Sequence, residues 1–554
     1  MNEMIHSDHV TLQYEDHEKA TLKDIHFKIN QGERVLLLGP SGSGKSTLTF
    51  CLNGLYPKDL DGEMTGNIFI QGKETAAYRP GEISQVVGVV FQDPESQFCM
   101  LTVEDEIAFG LENIRVDPDE MEQGIEQALQ LVGMLPYRYE MISTLSGGWK
   151  QKLALACVLA LKPKVLILDE PNANLDPIAS RELIQTIRKL QKELNFTLIV
   201  IEHQLDEWMA MIDRCLILNR EGSIIYDGPP AQGFRKHYSL LKNEGIWLPR
   251  AFELGIEWNQ KGFLTDSVTP LVLNDLLKHV TASSVEFFPS RKRKESNKAI
   301  LTARNISVRT PEKEILRDLS IDLYHGEVLA IIGPNGAGKT TLSQVLAGIK
   351  KANSGEVRLE DRPLHAFPEE KLRKKIGYVF QNPEHQFITD TVYQEIAFGL
   401  RMQRLGQEEI DEKVNEVIDI CQLQDLEYAH PFSLSQGQKR RLSVATMIVD
   451  EQQILILDEP TFGQDARSTE ELMKLLISRK EKGCSIMMIT HDLDLVHQYA
   501  DRVIVLKDGT EYFSGSPETL WDKGSDFLET AHLYLPFEKQ IEHELKRRTR
   551  VYVS

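Results

Sequence analysis

The 554-residue sequence has no apolar run of bilayer-crossing length. Its longest, Leu153 to Leu161, has about half the ~20 residues a spanning helix needs. Any membrane work would therefore require partner chains. Cysteine is sparse: the six, at 51, 99, 157, 215, 421 and 484, form no CxxC pair and have no His-x3-His companion for a zinc site. Buried reduced thiols are expected. The N-terminal MNEMIHSDHV lacks the basic start and apolar core of a signal peptide, which together with the cysteine usage predicts a reducing cytoplasm. Positive charge is in deficit, 63 Lys plus Arg against 83 Asp plus Glu, a net −20. The chain as a whole thus carries no field that would draw it onto nucleic acid or anionic lipid, and only a local basic patch could do so. A composition 41% apolar and 26% charged, with 36 Gly and 23 Pro, excludes collagen-like, disordered and disulfide-stapled classes and leaves an ordinary globular chain.

What the sequence does contain is a long internal repeat. GPSGSGKST at 39–47 recurs as GPNGAGKTT at 333–341, FQDPESQF at 91–98 as FQNPEHQF at 380–387, and LILDEP at 166–171 as LILDEP at 455–460. The offsets between matched residues, 294 for Lys45 to Lys339, 289 for Asp169 to Asp458 and 288 for His203 to His491, differ by a handful of residues. A period this long denotes a duplicated globular domain rather than a solenoid. Gly and Pro punctuation closes the first copy near Gly233, so the expected organisation is a first domain over 1–235, a linker over 236–297, a second domain over 298–526 and a C-terminal helical tail over 527–554. The linker carries the basic run Arg291, Lys292, Arg293, Lys294, read as a solvated face with lipid headgroups or RNA as the alternatives. Within each copy, short apolar runs alternate with amphipathic stretches, which predicts an α/β fold on a largely parallel sheet. ERVLLLG and EVLAIIG read as buried strands leading through a Gly-rich loop into a helix.

GxxxxGK[ST] is met by Gly39, Gly44, Lys45, Ser46 and again by Gly333, Gly338, Lys339, Thr340. Backbone N–H groups freed by the glycines curl around phosphates, the lysine reaches the β- and γ-phosphates, and the hydroxyl ligates Mg2+. Candidate ATP-binding residues in these loops are Gly39, Ser41, Gly42, Gly44, Lys45, Ser46 and Thr47, and Gly333, Asn335, Gly336, Gly338, Lys339, Thr340 and Thr341. VLILDE and ILILDE each end an apolar run in two acids, the pair phosphoryl transfer requires: Asp169 and Asp458 for the metal, Glu170 and Glu459 to polarise the attacking water.

Both halves resemble nucleotide-binding domains of ABC ATPases, because LSGGWKQK at 145–152 and LSQGQKRR at 434–441 match that family's signature. The resemblance implies duplicated P-loop NTPase domains in a head-to-tail sandwich, in which the signature of one half closes over the Walker A loop of the other. Site one would combine Lys45, Ser46, Gln92, Asp169, Glu170 and His203 with Ser435, Gln436 and Gly437; site two would combine Lys339, Thr340, Gln381, Asp458, Glu459 and His491 with Ser146, Gly147 and Gly148. It further implies that His203 and His491 are switch histidines contacting the γ-phosphate and that Asp176 and Asp465 are D-loop aspartates. Gln92 and Gln381 become Q-loop residues that sense the metal, alongside Ser46, Asp169, Thr340 and Asp458. Tyr14 would stack on adenine, the alternative being an ordinary sheet aromatic. Three departures stand out: Thr310 or Val308 at the Tyr14 position of the second half, Trp149 where the family has glutamine, and Lys152 where it has arginine. All three bear on site two, which is expected to bind adenine more weakly.

FQDPESQF with TVEDEIAFG, FQNPEHQF with TVYQEIAFG, PTFGQD and IEHQLDE are similar to the ATPases of energy-coupling factor importers, and the fusion of two ATPases in one chain resembles those of the thiamine-precursor (hydroxymethylpyrimidine) type. That resemblance implies an ATPase peripheral to the cytoplasmic face of the cell membrane. Its partners would be a transmembrane coupling subunit and a small substrate-binding membrane subunit that captures a vitamin, vitamin precursor or metal ion. The alternative, a ribosome-bound ABC-F ATPase, is disfavoured by the net charge and by a proline-containing linker without heptads. No nucleic acid is expected as a partner.

Overall fold

A computed structural model describes residues 3–15, 19–40, 42–56, 61–79, 81–173, 175–265, 268–280, 298–311, 313–450, 452–461 and 463–553, with Gln436 and residues 549–553 described in backbone only. The basic run at 291–294 and Ser41 lie outside the described residues. The chain divides into two compact units, one drawn from residues up to Val280 and the other from Lys298 onward.

In the first unit, β1 (Glu3–Tyr14), β2 (Leu22–Asn30), β3 (Arg34–Leu38), β4 (Gly62–Ile70), β5 (Lys73–Glu74), β6 (Val87–Val90), β7 (Val165–Asp169), β8 (Thr197–Ile201), β9 (Arg214–Leu218) and β10 (Ile224–Gly228) form two sheets. One is antiparallel, in the order β2-β1-β4-β5; the other, β10-β9-β3-β8-β7-β6, is parallel except for β10. The second unit repeats both with β11 (Ala299–Arg309), β12 (Glu314–Tyr324), β13 (Val328–Ile332), β14 (Ser354–Leu359), β15 (Arg362–Pro363), β16 (Ile376–Val379), β17 (Ile454–Asp458), β18 (Ser485–Ile489), β19 (Arg502–Lys507) and β20 (Thr510–Gly515). Their orders are β12-β11-β14-β15 and β16-β17-β18-β13-β19-β20.

The continuous apolar runs follow from burial on both faces. Val35, Leu37, Val165 and Ile167 pack toward the antiparallel sheet, while Leu36, Leu38, Leu166 and Leu168 pack toward the helices Val103–Asn113, Pro118–Val132 and Gly147–Ala160. In the second unit Leu329, Ile331, Ile454 and Ile456 share one core, and Val328, Ala330, Leu455 and Leu457 the other. Between each central strand and its following helix the chain turns at Gly44 (φ +91°) or Gly338 (φ +95°). A Cβ at Gly44 would meet Leu22 Cδ2 at 2.7 Å, and one at Gly338 would meet Leu316 Cδ2 at 2.7 Å. Only glycine fits.

The parallel sheet agrees with the sequence reading; the antiparallel sheet beside it is an addition. Bulges hide it, since the left-handed residues His9 (φ +51°) and Asp24 (φ +52°) break the alternation of β1 and β2.

The segment expected to be a linker is also different. Through residue 280 it carries the helices Arg250–Gln260 and Leu273–Lys278, and Leu241, Ile246, Leu248 and Phe252 are buried in the core of the first unit. The tail behaves alike: Leu528, Ala531 and Leu533 join the core of the second unit, and the helix Phe537–Val553 follows. The repeat therefore runs on past the boundaries read from Gly and Pro. Among the described residues no helix is long and apolar enough to cross a membrane.

Phe252 is buried against Phe234 and Tyr238, with ring centroids 5.7 and 5.8 Å away. Phe252→Ala is expected to destabilise the first unit by about 3–5 kcal/mol in denaturant titrations, as a core phenylalanine does and a linker residue would not.

Candidate active sites

Each Walker A lysine is buried and folded back onto its own loop. Lys45 Nζ donates to the carbonyls of Gly39 (2.9 Å) and Pro40 (3.0 Å), and Lys339 Nζ to those of Gly333 (2.8 Å) and Pro334 (2.9 Å). The ammonium thereby holds the loop curled, with its amides converging ahead of the helices Lys45–Leu52 and Lys339–Leu346, where Ser46, Thr47, Thr340 and Thr341 occupy the first turn. Gly42 (φ +80°) and Gly336 (φ +79°) are left-handed, and Asn335 lies in the second loop between Gly333 and Gly336.

Asp169 and Asp458 are the last residues of β7 and β17, both buried. The next residue, Glu170 or Glu459, still donates its N–H to the neighbouring strand, at Ile201 O (2.9 Å) or Ile489 O (3.0 Å), but with φ at +47° or +50°. A left-handed glutamate costs on the order of 1–3 kcal/mol, and the double occurrence marks a functional constraint. In the first unit Glu170 is gripped from two sides: Gln92 Nε2 donates to Oε2 (2.7 Å) and His203 Nε2 lies 2.9 Å from Oε1. Burial alone would push Glu170 up; the His203 hydrogen bond and charge, with Lys45, hold it below the ordinary carboxyl value. Asp169 rises to about 6 through burial and the adjacent Glu170.

The second unit is looser. His491 Nε2 is 3.3 Å from Glu459 Oε1, which has no hydrogen-bond partner among the described residues. Burial drives Glu459 up and Lys339 down, and it lowers His491 to about 3, so that imidazole is neutral at pH 7. The backbone of Gln381 is held by buried Arg440, whose guanidinium donates to its carbonyl.

The signature serines, Ser146 and Ser435, sit at the N-cap of the helices Gly147–Ala160 and Gln436–Ile448, placing Gly147, Gly148, Gln436 and Gly437 in first turns. Ser435 and Gln438 form a reciprocal capping box. Trp149 cannot reciprocate, and Ser146 makes no side-chain cap bond; the indole instead packs on Tyr137 (4.4 Å) beneath Lys152 Nζ (4.6 Å). Within their own unit, Ser146, Gly147 and Gly148 make no hydrogen bond to the set around Glu170; their helix is tied to the Q-loop by Lys150–Glu95 (2.6 Å), matched by Lys439–Glu384 (2.6 Å). Asp465 caps the helix Ala466–Glu481 through Ser468 N (2.7 Å), and Asp176 is buried. Tyr14 lies beside the first Walker A helix, its hydroxyl 3.0 Å from Thr47 Oγ1. Leu12 and Val308 are equivalent buried positions, so Thr310 is the counterpart of Tyr14 and no ring stands there.

Two sets of residues escaped the sequence reading. Glu202, just before the switch histidine, is buried; its Oε1 accepts from His203 N (3.2 Å) and Gln204 N (3.3 Å), and its Oε2 has no partner among the described residues. Thr490 does the same job in the second unit, accepting from Asp492 N (3.0 Å). Three residues after each histidine, Asp206 Oδ1 accepts from Arg250 N and Asp494 Oδ1 from Phe537 N, both at 2.8 Å. Each switch loop is thus pinned to the start of the helix that follows its domain. The signal was the repeated Leu-Pro at 248–249 and 535–536.

The oxygen-only donor sets, Ser46 facing Asp169 and Thr340 facing Asp458, suit Mg2+, and Asp458 Oδ1 is buried without a hydrogen-bond partner among the described residues. Mg2+ there would neutralise charge on the phosphates of ATP; in the first unit Gln92 lies beside this set, bonded to Glu170.

A Walker A loop, a strand-end Asp-Glu pair and a following histidine, built twice on parallel sheets, define a tandem P-loop ATPase. Residues 22–173 and 316–462 match the ABC transporter family. The chain is 44% identical over 537 residues, 97% of its length and 95% of the relative's, to the "Putative HMP/thiamine import ATP-binding protein YkoD" of Bacillus subtilis (strain 168). It is 34% identical over 560 residues, 98% and 94% of the two chains, to a "Putative ABC transporter ATP-binding protein" of Methanosarcina mazei. Among solved structures, cbiO1 from Clostridium perfringens, described as part of the ABC transporter complex cbiONQ, is 33% identical with a TM-score of 0.38, covering 45% of this chain and 100% of that one. The chain belongs to the ABC transporter family, as an ATP-binding protein with two ATPase domains.

Burial raises the Glu202 carboxyl from 4.5 to about 8, with Glu170 adding to the shift. A raised carboxyl contributes stability that is complete below its unfolded value and lost as pH climbs through its folded one. Glu202→Gln keeps the acceptor and removes the titration. Its melting temperature is expected to match the parent's at about pH 4.5 and to exceed it increasingly up to about pH 8.

Proposed function

We propose that this chain is the energy-coupling ATPase of an importer of the energy-coupling factor type, peripheral on the cytoplasmic face of the membrane. It would drive a transmembrane coupling subunit with a small substrate-binding membrane subunit. The name of the Bacillus relative favours hydroxymethylpyrimidine or thiamine as the cargo class.

The observation that carries the reading is an exposed apolar patch on the corresponding loop of each half. Leu101 and Ile388 lie in the same loop of the two repeats but two positions out of register, Ile388 matching Cys99 and Leu101 matching Asp390, and are 72% and 71% exposed; the equivalent Tyr139 and Tyr428 are 76% and 89% exposed. Each patch follows the Q-loop. Its backbone is held by a buried glutamate: Glu106 accepts from Cys99 N and Met100 N, and Glu395 from Ile388 N and Thr389 N. A single exposed leucine is ordinary, but a large aliphatic side chain on the same organised loop of each half, beside a recurring exposed tyrosine, suits a partner surface. ATP-driven movement of the Q-loops would pass to the membrane subunits there. Purified with ATP from gently solubilised host membranes, the Glu170→Gln, Glu459→Gln variant is expected to retain a transmembrane protein and a small substrate-binding membrane protein. Adding Leu101→Glu and Ile388→Glu should release both without loss of ATP binding. Ribosomal proteins and RNA in their place would overturn import in favour of a ribosome-bound ATPase.

The same proposal includes two ATP sites, each closed by the signature loop of the other half, and makes them unequal, with the second holding adenine more weakly. Tyr14 against Thr310, and the doubly held Glu170 against Glu459, support this. Two ATP affinities are expected by equilibrium binding. Tyr14→Ala should weaken the tighter by roughly two- to tenfold, the worth of one aromatic stacking contact. Equal affinities, with equal losses from Glu170→Gln and Glu459→Gln, would count against it.

A further inference from the structure

Away from both Walker A loops, the outer face of the first antiparallel sheet gathers imidazoles and a carboxylate. His6 and Asp8 are two apart on β1, and His26 is on β2, where Ser7 pairs with Phe27. Ser7 and Phe27 are buried, so the alternation of the pleat sends His6, Asp8 and His26 to the opposite face together. One ligand atom from each lies within 4.8 Å of the other two, the only such set of three His, Cys, Asp or Glu residues among the described residues. His26 Nδ1 is 3.9 Å from Asp8 Oδ1.

The set is braced. His9, itself bonded to Asp24 (2.5 Å), stacks on His26 with centroids 4.9 Å apart, and Phe69 of β4 lies against His6 at 5.8 Å. His6 Nδ1 is 3.4 Å from Glu3 Oε1, while His6 Nε2 is buried with no hydrogen-bond partner among the described residues. A buried imidazole nitrogen left unpaired is costly, and a carboxylate on the other ring nitrogen is the usual companion of a metal-bound histidine.

The repeat supplies an internal control. The second unit keeps the supporting bulge, with Asn305 bonded to Asp318 (2.7 Å) as His9 is to Asp24 and left-handed backbone at all four residues. Yet it has Thr302, Arg304 and Ser320 where the first has His6, Asp8 and His26. The fold needs the bulge pair; it does not need the three ligands.

We propose that His6, Asp8 and His26 form a binding site for a late first-row divalent cation of the zinc or nickel type. Two imidazoles and one carboxylate select such ions over Mg2+ and Ca2+, which prefer all-oxygen shells. Ligand atoms around a shared cation stand about 3.4 Å apart, so a closure of up to about 1.4 Å completes the set. Water would fill the remaining position.

The test is titration of the full chain with Zn2+ or Ni2+ under excess Mg2+, followed calorimetrically, and with Co2+ followed by its visible absorption. One saturable equivalent is expected, with release of protons on binding. His6→Ala and His26→Ala should each lower affinity about tenfold or more, and their combination should abolish the equivalent and the Co2+ spectrum. His9→Ala should cost about threefold or less, since its ring only braces His26. Unchanged ATP hydrolysis in every variant reports an intact fold. No saturable equivalent, or one that survives the double His6→Ala, His26→Ala replacement, overturns the proposal.

Discussion

The structure turns on a desolvated ammonium placed among carboxylates. Lys45 and Lys339 are buried at the start of a helix, each tied to two carbonyls of its own loop, within electrostatic reach of a glutamate at the end of a neighbouring strand. Taking such charges out of water is expensive unless each finds a partner. The loop's curl, the acids at the strand ends and the histidine beyond them are mutual compensation for that cost. Around Glu170, gripped from two sides, the partners hold the carboxyl below its ordinary value; around Glu459, with fewer partners, burial pushes it up.

Much of this was legible in the sequence because the chemistry depends on residue types at fixed spacing. Gly44, Lys45, Asp169, Glu170 and His203 announce themselves, and the apolar runs before them read directly as strands buried on both faces. What was hidden is equally instructive. The antiparallel sheet is masked by bulges at His9 and Asp24, which shift the alternation that strand reading relies on. The role of Glu202 depends on burial, which a lone glutamate beside a histidine does not reveal. The domain boundaries were set too early because Gly228, Pro229 and Pro230 look like an ending, whereas Leu241 and Phe252 beyond them complete a core. Nothing local distinguishes a turn that closes a domain from one that merely bends it.

Duplication makes the two halves each other's reference. Features kept in both, such as the Lys150–Glu95 and Lys439–Glu384 pairs or the aspartates that hold Arg250 N and Phe537 N, are requirements of the architecture. Features present once, such as the ring of Tyr14, the capping box of Ser435 and Gln438, and buried Arg440 where the first half has Gln151, are free to specialise. Fusion in one chain holds unlike halves at a fixed one-to-one ratio, so each can change against a constant partner dose.

The left-handed backbone at Glu170 and Glu459 has a consequence for how such a protein can change. At these two positions the glutamate proposed to polarise the attacking water is a poor conformational choice, and glycine would relax the chain. Any selection that rewards resistance to heat alone, in the laboratory or in a warming habitat, therefore pushes toward a sturdier protein that no longer turns over. Retention of the strained glutamate in both halves accords with the proposed water-polarising role at each.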